Sequence, residues 1–521
     1  MPIFCDVKRN SYFDSVTLMI ISNQLKEIGG VTEALAGMAT DLNKELAENL
    51  GLMTPEVEAL EANDFFLAVK TEDEKVFNEA TQTLETLLKK KSSSASNDYR
   101  PPTLASAVRN LPQANIAVIS LPGQYAAAET EKALDEGLHV MLFSDGVSLA
   151  DEARLKQKAH EKGLLVMGPD CGTAMIGGTA LCFANVVRRG KIGIVGASGT
   201  GIQELSTLID KFGGGVSHAI GTGGRDLKVE IGGIMMLDAI DALGKDESTE
   251  VLAIISKPPP AEIAAKIFEK LRTVPKKIIV HFLGSDPTQY KDTGFAFGKS
   301  LEDAAYKAVM LETGKEPTDF TGFTAPASEI EKAVETEAKK LGETAYIRGL
   351  YSGGTLAYEA LLMLEAEGMG CYSNIPLKPE FKLKDVFISQ ENTIIDFGDD
   401  DFTVGKPHPM IDPTSRQDAI LKEAADPNVG IILFDLVLGY GAHEDIAGEI
   451  ISAIKKAQVK LSEEKRQVVF IGFACGTEGD IQGLEKSEAL LRENGVVVLP
   501  SNAQAIRFVQ KLLTAKAGGK V

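Results

Sequence analysis

The sequence predicts an α/β protein made of several parallel-sheet domains, preceded by a small α+β domain. Three observations point to this class. Short apolar runs of strand length alternate with amphipathic helical patterns along most of the 521 residues. Turns rich in Gly, Ser and Asp stand at the strand ends, and one strand–turn–helix pattern occurs twice.

Residues 1–90 read as the small domain, with strands near 3–7, 31–36 and 65–70 and helices near 13–27, 41–49 and 74–90. No glycine-rich phosphate loop lies among them. A polar, Ser-rich stretch that ends in Pro101 and Pro102 follows, so residues 91–104 are expected to be a linker. Residues 105–187 then alternate strands near 116–120, 139–143 and 165–167 with helices near 125–136 and 149–162. Gly123, Ser144 to Gly146 and the loop G-P-D-C-G-T at 168–173 fall at the strand ends, where a parallel sheet binds its ligands. Residues 188–311 form the next domain, with later strands near 251–256 and 278–283. A charged connection is expected over 312–345, and residues 346–521 form the last domain, with strands near 393–397, 429–435, 468–473 and 496–500.

The repeated pattern is K-I-G-I-V-G-A-S-G-T-G-I-Q-E-L at 191–205 and R-G-L-Y-S-G-G-T-L-A-Y-E-A-L at 348–361. Thr200 corresponds to Thr355, and Glu204 to Glu359. A glycine-rich turn at a helix start leaves N–H groups pointing outward at the positive end of the helix dipole, where an anion binds. Ser198, Gly199, Thr200 and Gly201 in one copy and Ser352, Gly353, Gly354 and Thr355 in the other are therefore the candidate phosphate or carboxylate cradle. Ordinary helix capping is the competing explanation for either copy alone, and the duplication argues against it.

The bulk properties narrow the partners. The apolar fraction of 44% with 25% charged residues is that of a globular protein, and the formal charge of −20 opposes nucleic acid. No run of 18 apolar residues suggests a membrane span, and MPIFCDVKRNSYFD does not read as a secretory signal. Five scattered cysteines with no C-x-x-C pair fit a reducing compartment, so a cytoplasmic location is expected, with no zinc site.

Residues 105–310, with G-L-L-V-M-G-P-D-C-G-T, G-K-I-G-I-V-G-A-S-G-T-G-I-Q-E-L and A-I-G-T-G-G-R-D, resemble the α subunit of succinyl-CoA synthetase. From Leu350 onward the chain is similar to the ligase domain of that enzyme's β subunit. The fused arrangement, with D-F-G-D-D-D-F-T-V-G-K-P-H-P-M-I-D-P at 396–413, resembles the FdrA family over essentially the whole chain. The resemblance implies a CoA-binding-like Rossmann domain followed by two pseudo-symmetric, flavodoxin-like ligase domains whose device helices converge on one phosphate-sized site. Four parts of the family pattern are missing: the phosphorylated His, the Glu that orients it (Ser256-Lys257-Pro258 stands there), an ATP-grasp domain and the CoA diphosphate loop.

FdrA-like proteins imply carbamoyl transfer from carbamoyl phosphate to oxamate in allantoin breakdown, with companion subunits. A carbamoyltransferase subunit that forms a homo-oligomer, works on small anionic substrates and has no certain cofactor is the expectation. Two alternatives stay open. One is an acyl-CoA synthetase completed by a partner, with CoA near Gly123 and Ser144 and nucleotide handled elsewhere. The other is a non-catalytic scaffold that binds an anionic metabolite.

Three side chains are candidates for the chemistry. Arg225 in G-T-G-G-R-D could clamp an oxyanion, and Lys257 stands at a strand end. His408, held between two prolines, could serve as general acid or base. Asp399, Asp400 and Asp401 are weaker candidates for a metal, and Cys171 for a nucleophile.

Overall fold

The computed structural model describes residues 1–521 except 10, 12, 14, 93–100, 102, 344, 405 and 519–521. The expected linker therefore lies mostly outside the described residues. The chain divides into two compact units, residues 1–100 with 400–408 and residues 101–399 with 409–521.

In the first unit, β1 (Ile3–Lys8), β2 (Val31–Met38) and β3 (Phe65–Thr71) form an antiparallel sheet in the order β1-β3-β2. The period-2 alternation of β3 sends Phe65, Leu67 and Val69 toward Leu18, Leu25, Ala80 and Leu84 on one face. Phe66 and Ala68 go toward Leu52, Val57 and Leu60 on the other. The two apolar sets explain why this short domain has helices against both faces.

The second unit contains three sheets, two parallel throughout and one parallel except for an antiparallel hairpin at its edge. The smallest joins β4 (Ile116–Ile119), β5 (His139–Leu142) and β6 (Val166–Met167) in that order. The next contains β7 (Thr173–Ile176), β8 (Thr179–Cys182), β9 (Arg189–Gly196), β10 (Val216–Gly221), β11 (Val251–Ser256), β12 (Lys277–Phe282) and β13 (Ala296–Phe297), ordered β13-β12-β11-β9-β10-β7-β8. The last contains β14 (Tyr346–Tyr351), β15 (Tyr372–Ser373), β16 (Thr393–Asp396), β17 (Val429–Val437), β18 (Val469–Cys475) and β19 (Val497–Leu499), ordered β15-β16-β14-β17-β18-β19 and parallel throughout. Every residue of β11 and β17 is buried, as expected for strands covered on both faces.

The two larger sheets share one topology. In the first, β9 lies between β10 and β11; in the second, β14 lies between β16 and β17. Each is the strand at which the order of connection reverses, and a crevice opens at the carboxyl end of such a strand. Both glycine turns follow these two strands.

The stretch 168–172 is a loop at the end of β6, as expected, and the next residue, Thr173, opens an antiparallel hairpin, β7 to β8, that turns at Gly177 and Gly178 and extends the sheet through β10. The turn needs φ of 60° and 86°, which glycine adopts without a Cβ clash.

Candidate functional site

The helix Gly199–Lys211 starts after β9 and the helix Gly354–Ala366 after β14. Their first turns meet. The Ser198 and Thr355 hydroxyls are hydrogen-bonded to each other across the two lobes. A Cβ on Gly353 would stand 3.0 Å from Thr200 Cγ2, and one on Gly201 would stand 3.2 Å from Thr355 Cγ2, so glycine at these positions lets the helix starts approach. Ser198 also caps its own helix by accepting from the Gly201 amide at 3.1 Å.

The two halves of the cradle are not equivalent. In the second, the Ser352 amide (2.9 Å), the Ser352 hydroxyl (3.0 Å) and the Gly353 amide (2.9 Å) all donate to the buried Asp435 carboxylate. Ser352 and Gly353 are thus spent inside the protein, which corrects their expected role as ligand donors. Asp435 is itself paired with the buried Arg416 at 2.9 Å. In the first half the Gly201 amide is likewise spent, on the Ser198 hydroxyl, so what remains at the junction is the Gly199–Thr200 start of one helix, the Gly354–Thr355 start of its partner, and the two hydroxyls.

Two further groups complete the site. Asp396 ends β16, is 8% exposed, and has Oδ2 2.4 Å from where a Gly354 Cβ would be. Its Oδ1 accepts from the Gly398 amide at 2.9 Å. Burial pushes its carboxyl up to about 7, against the bond from Gly398; Asp399 and Asp435 add to the rise and Lys257 opposes it. Lys257, at the end of β11, lies with Nζ 4.7 Å from the centre of the Tyr358 ring, one helical turn beyond Gly354. The strand end where the resemblance would place an acid therefore brings a cation to the same junction.

One turn deeper, Glu204 and Glu359 are buried and joined through Asn502. The Asn502 amide donates to Glu204 Oε1 at 3.3 Å, and its side-chain NH₂ donates to Glu359 Oε2 at 2.9 Å. The Tyr351 hydroxyl donates to Asn502 Oδ1 at 3.1 Å, and the Leu301 amide to Glu359 Oε1 at 2.8 Å. Burial pushes the Glu204 carboxyl up to about 7, with Lys211 opposing and Glu359 adding to the rise. Both glutamates brace the junction from beneath, as capping or turn partners would.

Arg225 and Cys171 are engaged elsewhere. Arg225 donates to the Val147 carbonyl and pairs with buried Glu152, each at 2.8 Å. Glu152 and Asp226 hold the fully buried Lys156, so Arg225 finishes a structural ion cluster through its Nη2. His408 belongs to the first compact unit, with residues 1–100. The Asp399–Asp401 run is divided between the units. Cys171 is buried, its thiol donates to the Thr173 carbonyl, and burial pushes it up to about 12, which leaves no thiolate to act as nucleophile.

Asp396 and Asp435 are the groups that sequence reading missed. Each carried a signal, a single carboxylate in an otherwise apolar strand. His281, also on a strand, is buried with Nδ1 2.9 Å from the Gly298 carbonyl, and burial pulls it down to about 4. The charges it feels are Asp303 and Lys307, away from the cradle.

Comparison with known proteins places these lobes. The family model for CoA-ligase matches residues 350–512, and that for the CoA-binding domain matches 187–284, which includes the first glycine turn. The model described as AllF, heavy metal-associated domain, matches residues 1–102. The YahF protein of Escherichia coli K12 is 46% identical over 96% of this chain and 97% of its own length. The α subunit of the ADP-forming succinate–CoA ligase of Aquifex aeolicus is 31% identical over 35% of this chain and 61% of its own length. A dinucleotide-forming acetyl-coenzyme A synthetase of Ca. Korarchaeum cryptofilum covers 81% of this chain and 88% of its own, with 17% identity and a TM-score of 0.34.

These matches overturn the carbamoyltransferase expectation, because the modules that hold the cradle are those of CoA ligases. The residues do not fit a heavy-metal site in the N-terminal domain. Cys5 is its one cysteine, and burial, with Glu56 adding, pushes that thiol up to about 11. Among the described residues no three His, Cys, Asp or Glu are grouped as around a metal ion, and no helix is long and apolar enough to cross a membrane.

Proposed function

Because the chain belongs to the family of the Escherichia coli YahF protein and carries the CoA-binding and CoA-ligase modules of the acyl-CoA synthetase superfamily, we propose that it is the acyl-transfer component of an acid–thiol ligase. It works between a small acyl phosphate, CoA and inorganic phosphate. The observation that carries the reading is the contact of the Ser198 and Thr355 hydroxyls, where two helix starts meet at the switch points of their sheets. A phosphoryl group held there lies against fixed dipoles and the Lys257 cation, which stabilise charge that develops on the departing phosphate.

Activation of the free acid by nucleotide is assigned to a companion subunit. CoA is assigned to the carboxyl ends of β4 and β5, near Gly123 and Ser144. The start of the helix Gly123–Asp135 backs onto the carbonyls of Asp145 and Gly146, since a Gly123 Cβ would stand 2.4 Å from the Asp145 oxygen. That geometry supplies no diphosphate loop, so the pantetheine and adenine are expected to provide most of the CoA contact.

The test is thioester formation from CoA and a panel of acyl phosphates without nucleotide. Thioester and phosphate are expected in equal amounts. Gly354→Asp, whose Cβ would stand 2.4 Å from Asp396 Oδ2, is expected to lower both the rate, by about 100-fold, and the melting temperature. Lys257→Ala, at an exposed side chain, is expected to lower the rate by about tenfold with an unchanged melting temperature. Absence of thioester from every acyl phosphate, together with absence of CoA binding in calorimetry, would reject the ligase reading.

A further inference from the structure

The cradle contains a carboxylate where an anion is meant to bind. Asp396 Oδ2 lies 2.4 Å from where a Gly354 Cβ would be, at the first residue of a 13-residue helix, and the residue is 8% exposed. Oδ1 is met by the Gly398 amide, whereas no protein donor among the described residues meets Oδ2. An ionised Oδ2 would repel a phosphoryl oxygen at the same helix start, and a neutral carboxylic acid would offer that oxygen an O–H donor. The opposite lobe contributes the Ser198 hydroxyl and Lys257 to the same junction.

We propose that Asp396 is the acid of the cradle: it meets the bound phosphoryl group as a neutral carboxylic acid whose O–H donates to a phosphoryl oxygen, so each dianion bound takes up one proton from solvent. The proposal rests on the cradle being the phosphoryl site. The charges that face Asp396 are Asp399 from its own loop, Asp435 from β17 and Lys257 from β11. The two carboxylates favour the proton and the lysine opposes it. The proton balance is one carboxylate and one solvent proton giving one carboxylic acid, with no bond to phosphorus made or broken.

Sulfate is the probe, because it is a dianion of phosphate shape that does not titrate near neutrality. Calorimetric titration of the whole chain in two buffers of different ionisation heat counts the protons taken up. Uptake is expected to be close to zero at about pH 5.5 and to approach one at about pH 8, with affinity falling about tenfold per pH unit above 7. Asp396→Asn, which keeps shape and an N–H donor, is expected to bind sulfate with no pH dependence, and to melt above the wild type at about pH 8, where ionising the buried wild-type carboxyl is costly. Sulfate binding by the wild type without proton uptake, or uptake that persists in Asp396→Asn, would overturn the acid role and leave the cradle standing. Absence of sulfate binding by the wild type at both pH values would overturn both.

Discussion

Replacing Asp435 by alanine is expected to destabilise the protein by about 3–5 kcal/mol, the cost of leaving a buried charge without its partner. Asp435 and Arg416 are 0% and 1% exposed, and the guanidinium already has Nε and one terminal nitrogen without a hydrogen-bond acceptor. Removing the carboxylate also orphans the Ser352 and Gly353 amides, which keep their donors in every protonation state. The second glycine turn would lose the group that shapes it. Urea unfolding should show the loss as a lower midpoint, and Arg416→Met combined with Asp435→Ala should cost less than the sum of the two single changes. A midpoint within the error of the wild type for Asp435→Ala would mean that the turn is held by something other than this carboxylate.

Glu204→Gln is expected to stabilise the protein at about pH 8, by on the order of 2–3 kcal/mol, and to have little effect near pH 5. The sign follows from where the proton goes. The folded Glu204 holds its proton up to about 7, whereas the unfolded side chain loses it at the ordinary value of 4.5. Stability from this group is therefore complete below about pH 4.5 and is lost as pH rises through about 7. Its Oε2 is buried and meets nothing stronger than the Cys475 thiol, a weak donor, which is the physical reason that ionisation there is costly. Lys211 supplies the nearest relief, but its Nζ is committed to the carbonyls of Ala474 and Pro500 at 2.9 Å each. Melting temperatures of both proteins across pH 5 to 8 measure the difference directly. Parallel curves would show that Glu204 is ionised throughout and that Asn502 satisfies it alone.

Much of the fold could be read from periodicity. V-L-A-I-I-S and V-G-I-I-L-F-D-L-V are long enough and apolar enough to be buried strands, and the repeated glycine turn is legible as a repeat, whereas its place at the switch point of each sheet follows only from the strand order. The site was harder to read because its polar groups are defined by partners far away in sequence. Arg225 looked like a clamp in an exposed turn, but its partner Glu152 lies in a distant helix, so local sequence could not show that one guanidinium nitrogen was already paired. Ser352 and Gly353 looked like free donors because a capping turn and a ligand turn have the same spelling; only the register of β14 on β17, Leu350 against Phe434, sets Asp435 beside them. In D-F-G-D-D-D the eye goes to the triple aspartate, while the residue that reaches the cradle is Asp396, the one that still belongs to a strand.

The two lobes are joined by directional polar bonds as well as by apolar packing. Asn185 donates to the Leu438 carbonyl at 2.9 Å and to Asp480 at 2.8 Å, and Asp480 also accepts from the Val186 amide at 2.7 Å. Covalent fusion changes what such a surface must do. Two separate subunits have to hold together against dilution, whereas lobes on one chain face each other at an effective concentration on the order of millimolar. Their contact is then free to be tuned for alignment, one helix start against the other, with adhesion supplied by the chain itself.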